Sequence, residues 1–288
     1  MDWYILFNIF DRLQSGVKAL SRDGKMKKYL KIAKIVLKNA YIRDSKIIGN
    51  VTSNLLVSLT EVAITLTMFS TIFKNTDSLA GWNIYQVVFL YTLMKGITLI
   101  NGVYARRGLA DMAKKLIRTG EYDFYATKPV NSMFLVSMSK PKIYNLLTLF
   151  FVAILSVYCV VKSGMPISLV SIFFFVLFLL VGIILFYFIN VVSVIPAFWF
   201  IRLFSLSDVV NRFTQLMRYP AGIYPMATKI VLFTIIPVLV VTYFPAWQLF
   251  NAPNYLYLLY AVIITLIFGI VANYLWKIGE KHYGSASS

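Results

Sequence analysis

The sequence predicts an all-α polytopic membrane protein with six transmembrane helices and both termini on the cytoplasmic side. Three observations carry that expectation. Hydrophobic residues make up 59% of the 288 and charged residues only 14%, at a mean hydropathy of +0.75, a composition that does not build a water-soluble surface. Apolar runs lie near residues 50–73, 84–105, 142–161, 168–195, 228–245 and 256–276, each close to the roughly 20 residues a helical span requires. Lys and Arg number eleven before residue 50, eight in 106–142, four in 202–229 and two in 277–281, against only Lys74 and Lys162 in the alternate loops. That bias places the basic segments in the cytoplasm. The layout is then a cytoplasmic N-terminal segment over 1–49, a six-span domain over 50–276 and a cytoplasmic tail over 277–288.

The first stretch, MDWYILFNIFDRLQSG, starts acidic and lacks both a basic leading region and a small-residue cleavage site, so it is expected to stay in the cytoplasm. Next, Met26, Tyr29, Leu30, Ala33, Val36, Leu37, Ala40 and Tyr41 recur at helical spacing, with Lys27, Lys28, Lys31, Lys34 and Lys38 opposite. This is a basic amphipathic helix. It suits the membrane interface, where each lysine gains ~1 kcal/mol from anionic headgroups; a solvated helix packed on protein has the same pattern.

The first two spans carry Glu61 and Lys95, the ionisable residues near the middle of predicted spans. Both fall roughly 17 Å from the outer ends at about 1.5 Å per residue, so adjacent antiparallel helices bring them level. An intramembrane charge asks for a partner. A structural ion pair is one role, and a substrate or proton site is another.

Between the second and third spans, LADMAKKLIRTG has a helical pattern that Gly120 stops. Glu121, Tyr122, Asp123, Phe124 and Tyr125 follow. Carboxylates beside aromatics suit a protein groove better than anionic headgroups, which repel Glu121 and Asp123. The fourth apolar run is longer than one span and is broken by Pro196. After it, SDVVNRFTQLMR reads as a helix along the cytoplasmic surface, capped by Ser207 or Asp208. Before the last span, YFPAWQLFNAPNY has no charge and two prolines, the character of a re-entrant segment dipping into the outer leaflet.

Several functions are excluded or disfavoured. Basic residues dispersed among apolar runs anchor a bilayer and do not mark a nucleic-acid surface. The single cysteine, Cys159, lies in an apolar run, and the single histidine, His282, lies six residues from the end, so neither a thiolate metal cluster nor a His-based catalytic site is expected. Neither a G-x-x-x-x-G-K-[ST] loop nor a G-x-G-x-x-G turn occurs. The chain is therefore expected not to be an enzyme and to bind no cofactor or metal itself.

The stretch IRTGEYDFYATKP resembles the I-x-x-G-x-[LF]-D-x-x-L-x-[RK]-P signature of permease subunits of ABC-2 type ABC transporters, with Ile117, Gly120, Asp123, Lys128 and Pro129 matching and Tyr122 and Ala126 departing. RYPAGIYPMATKIVLFTIIPVLVVTYFPAWQLF resembles the same family's proline-rich run through Tyr219, Pro220, Tyr224, Pro225, Pro237, Tyr243, Pro245 and Ala246, and WKIGEKHYGSAS resembles its ending. The resemblance implies a six-span permease in a bacterial plasma membrane that exports an amphiphilic or hydrophobic substrate: a drug, a peptide antibiotic or a lipid-like molecule. It implies a coupling helix that ends at Gly120, Glu121, Tyr122, Asp123 and Phe124 in contact with a separate ABC ATPase subunit that holds ATP and Mg, and Lys128 with Pro129 leading back to the membrane. Its partners are those ATPase subunits, a second permease copy or related chain, and membrane lipid. The alternative is an ion- or proton-coupled secondary transporter that uses Glu61 and Lys95.

Overall fold

The computed structural model describes residues 25–46, 48–200 and 205–283. The N-terminal stretch before residue 25, the Ser285–Ala286 part of the tail motif and the side chains of Ser207 and Asp208 lie outside the described residues. All of the described regular structure is helical, apart from an isolated bridge between Leu79 and Trp82. Five helices are long and apolar enough to cross a membrane: α2 (Ile48–Phe73), α3 (Ile84–Tyr104), α7 (Asn145–Lys162), α8 (Leu169–Val194, prolonged by a 3-10 turn to Phe198) and α12 (Tyr255–His282). Ahead of them runs α1 (Lys25–Lys46), and α4 (Arg106–Asp111), α5 (Asp123–Ala126) and α6 (Ser132–Ser137) fill the connection from α3 to α7. After α8 come α9 (Ser205–Thr214), α10 (Met226–Ile230) and α11 (Val238–Phe250).

Local sequence starts three of the long helices. Asn83 and Gln86 form a reciprocal capping box on α3, Ser168 accepts from Ser171 N to open α8, and Asn254 accepts from Leu256 N and Tyr257 N to open α12. These starts share one end of the bundle. Asn83 Nδ2 donates to Ser163 O across the two loops (3.2 Å), and Phe174 packs edge-on to Tyr255 at 5.2 Å. The opposite end holds α1, residues 105–144 and the contact of Phe198 with Trp276. At the centre stands α3, whose Val87, Leu90, Tyr91 and Ile97 are enclosed by its neighbours. By contrast, α7 turns Leu146, Phe150, Ile154, Val157 and Val161 outward.

The expected fifth span at 228–245 is corrected. Residues Met226–Ile235 and Val238–Phe250 are two helical pieces bent by 100° at Ile236 and Pro237, where the proline ring supplies no N–H to continue the ladder. Both ends of this hairpin lie at the same end of the bundle. A Cβ on Gly222 would sit 2.7 Å from Ala80 Cβ, and Phe250 packs on Trp82 at 6.2 Å; both contacts are with the loop between α2 and α3. Deeper in, Val241 backbone abuts Gly182, thirteen residues or about 20 Å along α8.

The chain passes between the ends through residues 205–222 instead. Arg106, just past α3, donates to Asn211 at 2.9 Å, while Tyr219 packs on Phe69 of α2 at 6.0 Å and Gly222 reaches Ala80. The expected surface helix is thus the polar traverse, and Ser207 and Asp208 lie within the first turn of α9, which starts at Ser205.

On protein, α1 docks through part of its sequence-defined apolar face, Tyr29, Val36 and Ala40, joined by Ile32 from outside it. Ile32, outside that set, is buried with Ala40, while Leu30 and Tyr41 are exposed. Lys28 Nζ donates to Pro129 O (3.0 Å), Tyr29 packs on Phe134, Arg43 donates to Pro141 O (2.6 Å) and Asp44 accepts from Ile143 N (3.1 Å). One helix therefore carries a protein-facing line and a second stripe on which Leu30 and Tyr41 are exposed and Ala33 and Leu37 half-buried.

Candidate functional site: the folded connection between α3 and α7

Residues 105–144 form a structured layer whose backbone explains its sequence. Ala105 kinks the chain at φ −133, ψ −50, and α4 continues through a π turn, Met112–Leu116. Gly108 permits the close crossing with α6, because a Cβ there would lie 2.0 Å from Val136 O. The helical run closes at Gly120, whose φ of +74° is the left-handed conformation that favours glycine. Tyr122 N then donates back to Leu116 O at 3.1 Å, satisfying a terminal carbonyl.

The side chains divide sharply by environment. Ile117 and Tyr125 are buried, and Tyr122 is 0% exposed, its ring packed on Phe198 (5.2 Å) and Tyr283 (5.1 Å). Glu121 pairs with Lys115 at 2.8 Å and Asp111 pairs with Lys140, so both acids are tied within the layer. Half-buried Asp123 lies beside Tyr283, whose phenol is pushed up to about 12 by burial and by that carboxylate. Phe124 is 38% exposed at the tip, with Lys128 Nζ 4.6 Å above its ring. Pro129 is exposed, and its carbonyl holds Lys28.

Tyr122 therefore cannot be an outward contact residue: its side chain is the core of the layer. Its hydroxyl donates to Glu280 Oε1 of α12 at 2.7 Å, Ser132 Oγ donates to the same oxygen, and Trp276 Nε1 donates to Ser132 Oγ at 2.9 Å. Burial raises the Tyr122 phenol above its ordinary range, and Glu280 adds to the rise. A charge-assisted, mostly enclosed network of this kind fixes position as well as stability. Sequence reasoning missed Glu280, Ser132 and Trp276. The available signal was that Glu280 is the sole acidic residue after Asp208.

The intramembrane charges are brought together. Lys95 Nζ lies 2.5 Å from Glu61 Oε2; the lysine side chain is 9% exposed and the glutamate side chain 51%. Tyr91 is within electrostatic reach of both Glu61 and Arg218, and Glu61 also acts on Arg106, whose guanidinium burial pushes down. Around Glu61, α2 exposes Thr60, Thr67 and Ser70, and the traverse exposes Arg212 and Gln215.

A family model described as ABC-2 family transporter protein matches residues 59–287, which include the layer, the charge pair and the last helix. No curated protein and no solved structure matches the chain. With that match over most of its length, together with its apolar helices, this chain belongs to the ABC-2 family of transporter proteins as a multi-pass membrane subunit.

Proposed function

We propose that the chain is the permease subunit of an ATP-driven exporter in a bacterial plasma membrane, carrying an amphiphilic or hydrophobic substrate outward. Residues 105–144 face the cytoplasm, both termini lie on that side, and the 226–250 hairpin is a re-entrant element entering from the outer leaflet. Separate ABC ATPase subunits hold ATP and Mg and dock on this layer; a second permease, identical or related, completes the pathway. The observation that carries the proposal is the seating of Tyr122 on Glu280, Phe198 and Tyr283, with Phe124 left exposed at the tip.

The mechanism follows from that rigidity. A turn joined to its own helix alone would bend under load, whereas this one is fastened to α12 through a residue 158 positions away. A push received at Phe124 and Lys128 is delivered to α12 and, through Phe198, to α8. A ligand can shift such an equilibrium only by its differential affinity for two arrangements, and ATP on the docked subunits supplies that difference.

The test is purification from native membrane with identification of co-purifying ATPase. Wild type retains an ABC ATPase, and Phe124→Ala lowers its yield about tenfold, as expected for a truncated interface anchor. Equal ATPase in both preparations moves the docking site elsewhere; no ATPase in either removes the proposal.

A further inference from the structure

Two adjoining cavities flank α12 towards the end that carries residues 105–144, one between α8 and α12 and one between α12 and residues 126–133. The larger is an apolar groove of about 640 Å³ that runs from Val181 and Val262 past Phe188 and Leu266 to Asn273 and Lys277, within the ~300–1,000 Å³ typical of ligand sites. From Val262 to Lys277 is fifteen residues of helix, about 22 Å, enough to follow the ~15 Å of hydrocarbon in one leaflet. The smaller cavity, about 170 Å³, shares Asn273 and Lys277 with the groove and is lined further by Asn131, Ser132, Trp276 and Glu280. An apolar groove thus meets, at Asn273 and Lys277, a polar pocket lined by one cation and one carboxylate.

We propose that this composite site binds an ethanolamine phospholipid. An acyl chain occupies the groove, and Lys277, exposed on α12, takes the phosphate. Glu280 stands three residues further on, so the two charges are neighbours on one face of the helix. A headgroup with a phosphate and a cation a few bonds apart complements that pair. A primary ammonium donates N–H bonds to Glu280 and to the Asn131 side-chain oxygen, which a quaternary choline cannot do. A glycerol headgroup brings no cation for Glu280, and a serine headgroup adds a second carboxylate beside it. The polar end also touches Ser132, a member of the network that fastens Tyr122, so the lipid sits against the anchor of the exposed layer.

The site is read on the chain alone, with no ATPase present, so its failure is distinct from failure of the proposed function. The purified full chain is given an equimolar mixture of phosphatidylethanolamine, phosphatidylglycerol and phosphatidylcholine with identical acyl chains, and retained lipid is counted by native mass spectrometry. Wild type is expected to retain phosphatidylethanolamine preferentially. Lys277→Ala lowers retention about fivefold, the factor for one lysine at a headgroup, and Leu266→Trp, which fills the groove from an exposed position, lowers it at least as far. Ile267→Trp, exposed on α12 but outside the groove lining, retains wild-type occupancy and controls for folding. Equal retention by all four proteins overturns the site. Preference for phosphatidylglycerol or phosphatidylcholine overturns the headgroup assignment.

Discussion

Tyr122 and Glu61 are legible in the sequence to different degrees, and the reason is where their partners lie. Gly120 announces itself because a helix that must stop and turn needs a residue tolerant of φ +74°. Tyr122 reads as a display residue, since nothing within the loop reveals that Glu280, 158 residues on, accepts a hydrogen bond from its hydroxyl. Tyr122→Phe keeps the ring contacts but removes one donor from a charged acceptor, so it lowers stability by about 1–2 kcal/mol, measured as a drop in detergent melting temperature. No change would mean that water replaces the hydroxyl. Glu61 and Lys95 are legible because depth alone brings them level, and their contact at 2.5 Å sets up a cycle. Glu61→Gln leaves Lys95 buried and uncompensated and costs about 2 kcal/mol, below the figure for a fully enclosed pair because half of the Glu61 side chain is exposed. Glu61→Gln with Lys95→Met costs less than Lys95→Met and Glu61→Gln summed, by a coupling of about 1 kcal/mol. Strict additivity would assign each charge a separate role.

At the scale of elements, hydropathy identifies the long helices and misassigns the fifth crossing. A segment that is apolar all round is buried, whether in lipid or in protein, and Val238–Val241 are at most 1% exposed because they wedge between α8 and α3. The traverse over 205–222 escapes notice because it carries Asp208, Asn211, Arg212, Gln215 and Arg218. The same ambiguity divides α1. Period 3.6 shows that the helix has an apolar side without saying which residues touch protein. Ile32→Glu, at 2% exposure, is predicted to unseat α1 by placing an unpaired charge in the core and to lower stability by about 3 kcal/mol. Leu30→Glu, at 67% exposure, is predicted to leave melting unchanged and to weaken binding of an isolated α1 peptide to anionic vesicles, as an interfacial role for the exposed stripe requires. Equal effects on the folded chain would erase the distinction between the two lines.

For the whole molecule, the outward surfaces of α7 and α2 pose opposite demands. The side of α7 with Phe150, Ile154, Val157 and Val161 is satisfied by acyl chains. The side of α2 that carries Glu61 also exposes Thr60 and Thr67, set among exposed Val57 and Ile64, and a carboxylate there costs several kcal/mol when turned to hydrocarbon. A carboxylate at bilayer depth belongs against water or against another protein, so the proposed function predicts the second permease and the substrate path on the Glu61 side of α2. Cysteine crosslinking in native membrane tests this directly. In a Cys159→Ser background, Thr60→Cys and Thr67→Cys are predicted to give a covalent adduct with a second permease when treated with a short bifunctional reagent, and Val161→Cys is predicted to give none. The native cysteine is buried and poorly accessible to reagent, and its replacement leaves the introduced thiol as the sole target. Adduct formation at Val161 but not at Thr60 or Thr67 would put the interface on α7 and leave Glu61 facing a cavity within the single chain. Adducts at Thr60 and Thr67 that a transported amphiphile suppresses would identify the shared face as the route itself, because substrate can protect those thiols only by occupying the space between the two permeases.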